Sequence, residues 1–244
     1  MVVYGGFIMK KLVVCDVDGT LLPRGEDKIS DEVLAAIRSL ENKNIVFAAA
    51  SGRQYSELFD IFRGHGDMYY ICADGGAVIY RGEVLYKKPI PDFAVRSVFE
   101  KSKLVFHAPF KTYYRDLALG AVMAARYKDH AEHICDLSEV HDVIKISKLG
   151  AEYSEAPPCT FEVYKNNEWT DWISVGAGKG AAVEYMQRRL KVGYRETAVF
   201  GDNLNDLSML RRAANKYIMK DAVHRMNLPG AVIVEDIARA LEEI

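Results

Sequence analysis

The sequence predicts a parallel α/β sheet carrying a second, inserted α+β unit, and three observations support that reading. From Leu12 to Cys72, apolar runs alternate with helix-spaced segments, the strand–helix–strand rhythm of a sheet covered on both faces. From about Lys87 to Ile173 the rhythm changes to helices mixed with amphipathic strands, which can form a small core of their own. After Ile173 the first rhythm resumes.

Leu12-Val13-Val14-Cys15 is a buried-strand run that delivers Asp16 and Asp18 into a Gly19-Thr20 turn. Side chains two apart on an extended chain share a face, so the two acids address one site. Acids at the end of an apolar strand need compensation, and a divalent cation is the natural source. Pro23 to Lys28 is a polar connection. Ser30-Asp31-Glu32 then opens a helix with Val33, Leu34, Ile37 and Leu40 on one face. Ile45 to Ala50 is a second buried strand ending in Ser51-Gly52-Arg53, Leu58, Phe59 and Phe62 mark a helix, and Met68 to Cys72 is a third strand. Ala77–Tyr80 and Glu83–Tyr86 flank Arg81-Gly82 as a hairpin.

Within the insert, helices are expected over Phe93–Lys103 and Leu117–Lys128, and strands over Val143–Ser147 and Phe161–Tyr164. Pro89-Ile90-Pro91 marks its entry, and Pro157-Pro158 breaks it internally. Beyond it, Lys179–Leu190 is helical and Thr197–Phe200 is a strand ending in Gly201-Asp202. Asn203–Ala214 is expected as a helix, Lys216–Met219 and Ala231–Val234 as strands, and Ile237–Leu241 as the last helix. The expected boundaries are 1–84 and 174–244 for the sheet unit and 85–173 for the insert.

At 244 residues there is length for one or two domains. With 32 basic against 34 acidic residues and no basic stripe, nucleic acid and anionic membrane are not expected partners. The cysteines Cys15, Cys72, Cys135 and Cys159 lack metal or redox spacing and are read as reduced thiols of a cytoplasmic protein. Met1 to Ile8 lacks the features of a secretory signal and is expected to add nothing to function.

Four polar clusters fall at strand ends or helix starts, where open parallel sheets bind ligands: Asp16/Asp18, Ser51-Gly52-Arg53, Lys179, and Gly201-Asp202-Asn203-Leu204-Asn205-Asp206. Several have plainer readings. Ser51-Gly52-Arg53 alone is a helix cap with a solvated arginine. Asn203 and Asn205 can serve as caps. Gly176-Ala177-Gly178-Lys179-Gly180 fails as a P-loop, because Ile173 and Gly180 stand where that motif needs Gly and Ser or Thr. His130, His133 and Cys135 have no second matching pair and are read as solvated residues rather than a zinc site. Tyr113, Tyr114, Trp169 and Trp172 are read mostly as core or surface of the insert, with one or two meeting substrate.

In this order and context, Asp16-Val17-Asp18-Gly19-Thr20 and Gly201-Asp202-Asn203-Leu204-Asn205-Asp206 closely resemble motifs of the haloacid dehalogenase superfamily of phosphotransferases. Within it the chain is most similar to the Cof-type phosphatases, which carry a large cap between the second and third motifs. The resemblance spans nearly the whole chain and implies a Rossmann-like core with the α+β cap closing over its C-terminal edge. It implies Mg2+-dependent hydrolysis of a small phosphorylated metabolite such as a sugar phosphate. A phosphate monoester resists water because its oxygens repel nucleophiles, and a carboxylate nucleophile splits the reaction through an aspartyl-phosphate.

The resemblance assigns the attack to Asp16 and acid–base work to Asp18, which should hold a raised pKa off the metal. Mg2+ would be bound by Asp16, Asp202 and the backbone carbonyl of Asp18, and Asp206 would orient Lys179 or a metal-bound water. Ser51, Gly52, Lys179 and Asn205 would bind phosphate, Lys179 contributing to catalysis, and Arg53 would contact substrate. The Gly176–Gly178 segment and the hairpin would act as hinges, in a monomer or homodimer. Two departures bear on substrate. Gly75-Gly76-Ala77, preceded by Asp74, replaces Asn-Gly-Ala, and Asp221-Ala222 replaces Asn-Ala. Added carboxylates on the phosphate side are expected to weaken binding of highly anionic substrates.

Two other functions are compatible with the residues. A phosphomutase or phosphotransferase would use the same groups with a sugar hydroxyl in place of water. A non-catalytic phosphometabolite-binding regulator would be expected to lose Asp16 or Asp18, and both are present.

Overall fold

The structure is a computed structural model that describes residues 11–150, 155–165, 168–222, 226 and 228–244; Met1 to Ile8 and the expectation placed on them lie outside these. In chain order the first unit contains β1 (Lys11–Asp16), α1 (Asp31–Asn42), β2 (Ile45–Ala50), α2 (Tyr55–Ile61), β3 (Tyr69–Cys72), β4 (Ala77–Tyr80) and β5 (Glu83–Lys87). The insert supplies α3 (Asp92–Val98), β6 (Leu104–His107), β7 (Thr112–Tyr114), α4 (Gly120–Tyr127), β8 (Ala131–His133), β9 (Lys145–Leu149), β10 (Thr160–Lys165) and β11 (Trp169–Ser174). The chain then returns through α5 (Lys179–Leu190), β12 (Thr197–Gly201), α6 (Leu207–Leu210), β13 (Asn215–Met219), β14 (Val232–Val234) and α7 (Ile237–Glu242).

The core sheet runs β14-β13-β12-β1-β2-β3-β4-β5, parallel from β14 to β3 and closed by the antiparallel β4–β5 hairpin. Its central strands are apolar on both faces because both faces are covered. Val13, Cys15 and Phe47 pack with Leu34, Ile37, Leu58 and Leu241 on one side. Leu12, Val14 and Ala48 pack with Ala182, Val183, Met186 and Met209 on the other. Both Cys15 and Cys72 are buried in this core, and all four cysteines are free thiols. The hydroxyl of Ser30 caps α1 by accepting from the Val33 amide, as the sequence pattern requires.

The cap sheet runs β10-β11-β9-β6-β7-β8. Strand alternation divides its residues: Leu104, Phe106, Ile146 and Trp172 pack with α3, and Val105 packs with Met123 and Tyr127 of α4. Pairing places Lys145, Ser147, Asp171 and Trp169 on the α4 face, and all four line the cleft toward the core.

Several elements differ from expectation. The boundary placed after residue 84 falls inside β5, which pairs with β4 in the core sheet, and Ser174 pairs in the cap sheet. The helix expected over Phe93–Lys103 ends at Val98, since Leu104 must enter β6. Asn203–Ala214 contains only a short turn of helix at Leu204–Asp206 and the brief α6, because Ala214 leaves the helix to bond the Tyr194 carbonyl. Strands β6, β7, β8 and β11 were not expected. Among the described residues no helix is long and apolar enough to cross a membrane.

Candidate active site

Every polar cluster singled out in the sequence sits at the carboxyl edge of the core sheet or opens the helix beside it. Asp16 ends β1, Ser51 follows β2, Asp202 follows β12, and Lys179 is the first residue of α5. Two close approaches of main chain hold these parts in register. A Cβ on Gly19 (φ +92°) would lie 2.4 Å from Asp202 Oδ2, so the turn after β1 rests directly on that carboxylate. A Cβ on Gly75 (φ +89°) would lie 2.2 Å from the Gly178 carbonyl carbon, so the chain touches itself bare just before Lys179.

The Lys179 ammonium is buried between two carboxylates, 2.5 Å from Asp16 Oδ1 and 2.7 Å from Asp206 Oδ1. The other Asp206 oxygen accepts the backbone N–H groups of Asp202 and Asn203, each at 3.1 Å. Asp206 thus has both oxygens engaged and acts as a brace. Carboxylate oxygens of Asp16, Asp202 and Asp206 lie within 4.8 Å of one another, and all three residues are buried. Burial, then the neighbouring Asp206 charge, pushes the Asp16 carboxyl well above its ordinary pKa despite Lys179. Three buried acids against one ammonium leave excess negative charge, and the donors are all oxygen. That set fits a hard divalent cation, with Asp16 and Asp202 the carboxylates to hold it. Asp18 is not part of this acid group.

The Asp18 carboxylate turns instead to Arg53, which donates from Nε at 3.0 and 3.1 Å and from a terminal nitrogen at 2.7 Å. Ser51 Oγ donates to it at 3.2 Å. Burial pushes Asp18 up, but Arg53 and Ser51 outweigh it and hold the carboxyl below its usual range. This corrects the expectation of a raised pKa. Ser51-Gly52-Arg53 is more than a cap: the hydroxyl that would cap a helix is engaged with the Arg53 amide and Asp18.

Asn203 and Asn205, both expected as possible caps, behave differently. Asn203 caps, its side chain accepting from the Leu204 amide. Asn205 Oδ1 is buried without a hydrogen-bond partner in the cleft wall. His133 bonds the Arg115 carbonyl, and among the described residues His130, His133 and Cys135 form no metal-binding group. Tyr113 and Trp172 are buried in the cap, whereas Trp169 reaches the cleft. Asp221 is exposed and is not among the cleft-lining residues.

The cleft, about 570 Å³, is walled by the core acids below and by Arg126, Tyr127, Lys145, Trp169 and Asp171 of the cap above. Sequence reasoning missed Lys145. It is buried, and its ammonium contacts the Gly52 carbonyl at 2.6 Å, Asp171 at 3.2 Å and Asp74 at 3.5 Å. The charge of Asp74, expected to repel anions, is therefore countered from the cap. A charged residue in an otherwise apolar strand, Ile144-Lys145-Ile146, was the available signal.

An acid-tipped parallel sheet, with a buried lysine and an inserted cap over its edge, defines a capped open α/β protein of the class that binds ligands at strand carboxyl ends. The chain belongs to the haloacid dehalogenase-like hydrolases, whose family model matches residues 13–117 and 120–228. It is 25% identical over 250 residues to the HMP-PP phosphatase of Klebsiella pneumoniae, covering 93% of this chain and 91% of the relative. It is 23% identical over 236 residues to the 5-amino-6-(5-phospho-D-ribitylamino)uracil phosphatase of Escherichia coli, with 87% and 86% covered. A crystal structure from Eubacterium rectale superposes with a TM-score of 0.82 at 23% identity, over 97% of this chain and 99% of that one.

Proposed function

We propose that the protein is a Mg2+-dependent phosphatase that hydrolyses the phosphate monoester of a small metabolite through an aspartyl-phosphate on Asp16. The observation that carries this reading is the meeting of Asp16, Lys179, Asp202 and Asp206 from three separate segments in one buried cluster. The names of the two relatives above, both phosphatases of small phosphorylated molecules, support a metabolite as substrate.

Asp16 and Asp202 would hold Mg2+ beside the backbone of Asp18, and when bound the ion neutralises charge on the transferring phosphoryl oxygens. Asp16 Oδ2, the oxygen not given to Lys179, would attack phosphorus. Lys179, the Ser51 hydroxyl, the Gly52 backbone and Asn205 meet the phosphoryl oxygens, stabilising charge with groups already fixed, commonly the largest catalytic contribution. Asp206 keeps Lys179 pointed at Asp16.

Asp18 protonates the leaving oxygen and then takes a proton from the attacking water. With Arg53 clasped to it, Asp18 is held ionised, its base form. Arg53 turning toward substrate would let the half-exposed Asp18 take up a proton from solvent and then give it to the leaving oxygen. The cap excludes bulk water and selects the leaving group.

Purified protein with Mg2+ should release phosphate from members of a panel of sugar phosphates, phosphoglycolate, nucleotides, flavin mononucleotide and pyridoxal phosphate. Isotope from labelled water should appear in that phosphate. Phosphate release from none of the panel would overturn the reading, and transfer to a sugar hydroxyl without water isotope would make the enzyme a phosphotransferase.

A further inference from the structure

The loop Ser51-Gly52-Arg53 is anchored by three successive carbonyls, and the anchors do not come from one place. Ser51 O accepts from the Asp74 amide at 3.0 Å, and Arg53 O accepts from the Ala73 amide at 2.9 Å. Both donors belong to the core turn after β3. The middle carbonyl, Gly52 O, accepts from Lys145 Nζ at 2.6 Å, and Lys145 belongs to the cap. A peptide unit is planar, so fixing the Gly52 oxygen also fixes the direction of the Arg53 N–H. That N–H donates to Ser51 Oγ at 3.1 Å, and Ser51 Oγ donates to Asp18 Oδ2 at 3.2 Å. A continuous run of hydrogen bonds thus passes from a cap lysine to the carboxylate read above as the acid–base group.

The surroundings make Lys145 hard to replace. It is 5% exposed and lies between Asp74 of the core and Asp171 of the cap. Asp74 sits under the loop, since a Cβ on Gly52 would come within 2.9 Å of its Oδ2. Without a cation, that charge would lie unscreened beside the phosphate seat. Burial alone would discharge Lys145, but the two acids hold it protonated.

We propose that Lys145 is a positioning residue through which closure of the cap sets the phosphate-binding loop: it clamps the Gly52 carbonyl and neutralises Asp74 only when the cap is seated. The inference rests on the phosphatase reading for its kinetic consequence, though not for the binding one. Recognition of the leaving group by the cap and formation of a competent phosphate seat become one event.

The test separates positioning from mere support of the fold. Lys145→Met leaves two buried acids uncompensated and should lower both Tm and kcat, the latter by roughly 100-fold, as for a small misplacement of reacting groups. The double variant Lys145→Met/Asp74→Asn removes one of those acids and should regain much of the Tm. Its kcat, measured well below Tm, and its affinity for inorganic phosphate in Mg2+, measured by calorimetry, should stay low because the Gly52 clamp is still missing. Recovery of kcat and phosphate affinity together with Tm would overturn the proposal, as would a Lys145→Met enzyme of wild-type rate.

If neither Met variant folds, Lys145→Arg decides. Retained phosphate affinity supports the clamp, and its loss in a folded protein overturns it. Should the wild type hydrolyse nothing, the phosphatase reading fails, while phosphate affinity across the variants still tests the clamp.

Discussion

Two buried lysines face each other across the cleft, each set between two aspartates, and they are built in opposite ways. Lys179 joins Asp16 and Asp206, all on the core, at the ends of elements that the sheet fixes in place. Lys145 joins Asp171 of the cap to Asp74 and the Gly52 carbonyl of the core. The first cluster is built from core residues alone, and the second needs cap residues to meet core ones. On the proposed reading, the core alone would assemble the chemistry, and the cap would set the shape of the phosphate seat.

The largest effect expected is on the core cluster. Asp16→Asn should abolish turnover, by at least ~10⁴-fold if it is the nucleophile. In metal-free protein it should also raise Tm, because it removes one of three crowded buried acids. Activity and thermal melts on the same sample read both signs. Lys179→Met should cost at least ~100-fold in rate. Unlike Asp16→Asn, it should lower Tm by stranding Asp16 and Asp206.

Chelation comes next. Mg2+ should raise Tm by an amount set by its binding, about 2.7 kcal/mol at a hundredfold excess over Kd. Asp202→Asn should lose most of that rise, whereas Lys145→Met should keep it, since the proposed ion site lies in the first cluster.

A subtler test uses pH. Arg53 keeps the Asp18 carboxyl low, so Arg53→Ala should move the alkaline limb of kcat/KM, where the acid that meets the leaving oxygen is lost, upward in pH. The sign follows from the folded state favouring ionised Asp18. The corresponding stability is present above the usual carboxylate pKa and fades as pH falls through the lowered one. Asp18 is half exposed, so the stability change itself should be slight.

The smallest effect belongs to the rim. Lys128 and Asp60 pair between cap and core in full solvent, and Lys128→Ala should leave Tm and turnover unchanged within error. A large effect there would mean that surface charge, not the Lys145 junction, holds the cap down.

The same contrast explains what could be read from the sequence. Asp16, Asp202 and Lys179 stand beside strand or helix signals that place them at the sheet edge, so periodicity located them without coordinates. Strands β1 to β3 were readable because parallel strands buried on both faces are apolar runs. Lys145 could be noticed as a lone charge in an apolar strand, but its role could not be read. Its three partners, Gly52, Asp74 and Asp171, lie in three distant segments, and only the folded insert brings them together. Strands β7, β8 and β11 escaped for a related reason, since segments such as Trp169-Thr170-Asp171-Trp172 mix large apolar and polar residues in no clean alternation. The Arg53–Asp18 clasp reversed an expected pKa because the sequence does not show which way an arginine folds.

Where Gly75 meets Gly178, the turn after β3 and the segment returning from the insert are spaced by naked main chain. Even a single methyl group would act as a wedge at that joint, tilting the start of α5 and dragging the ammonium off its aspartates. A lid of different length could be spliced between β5 and Gly178 and leave Lys179 on its aspartates, provided the two glycines still touch.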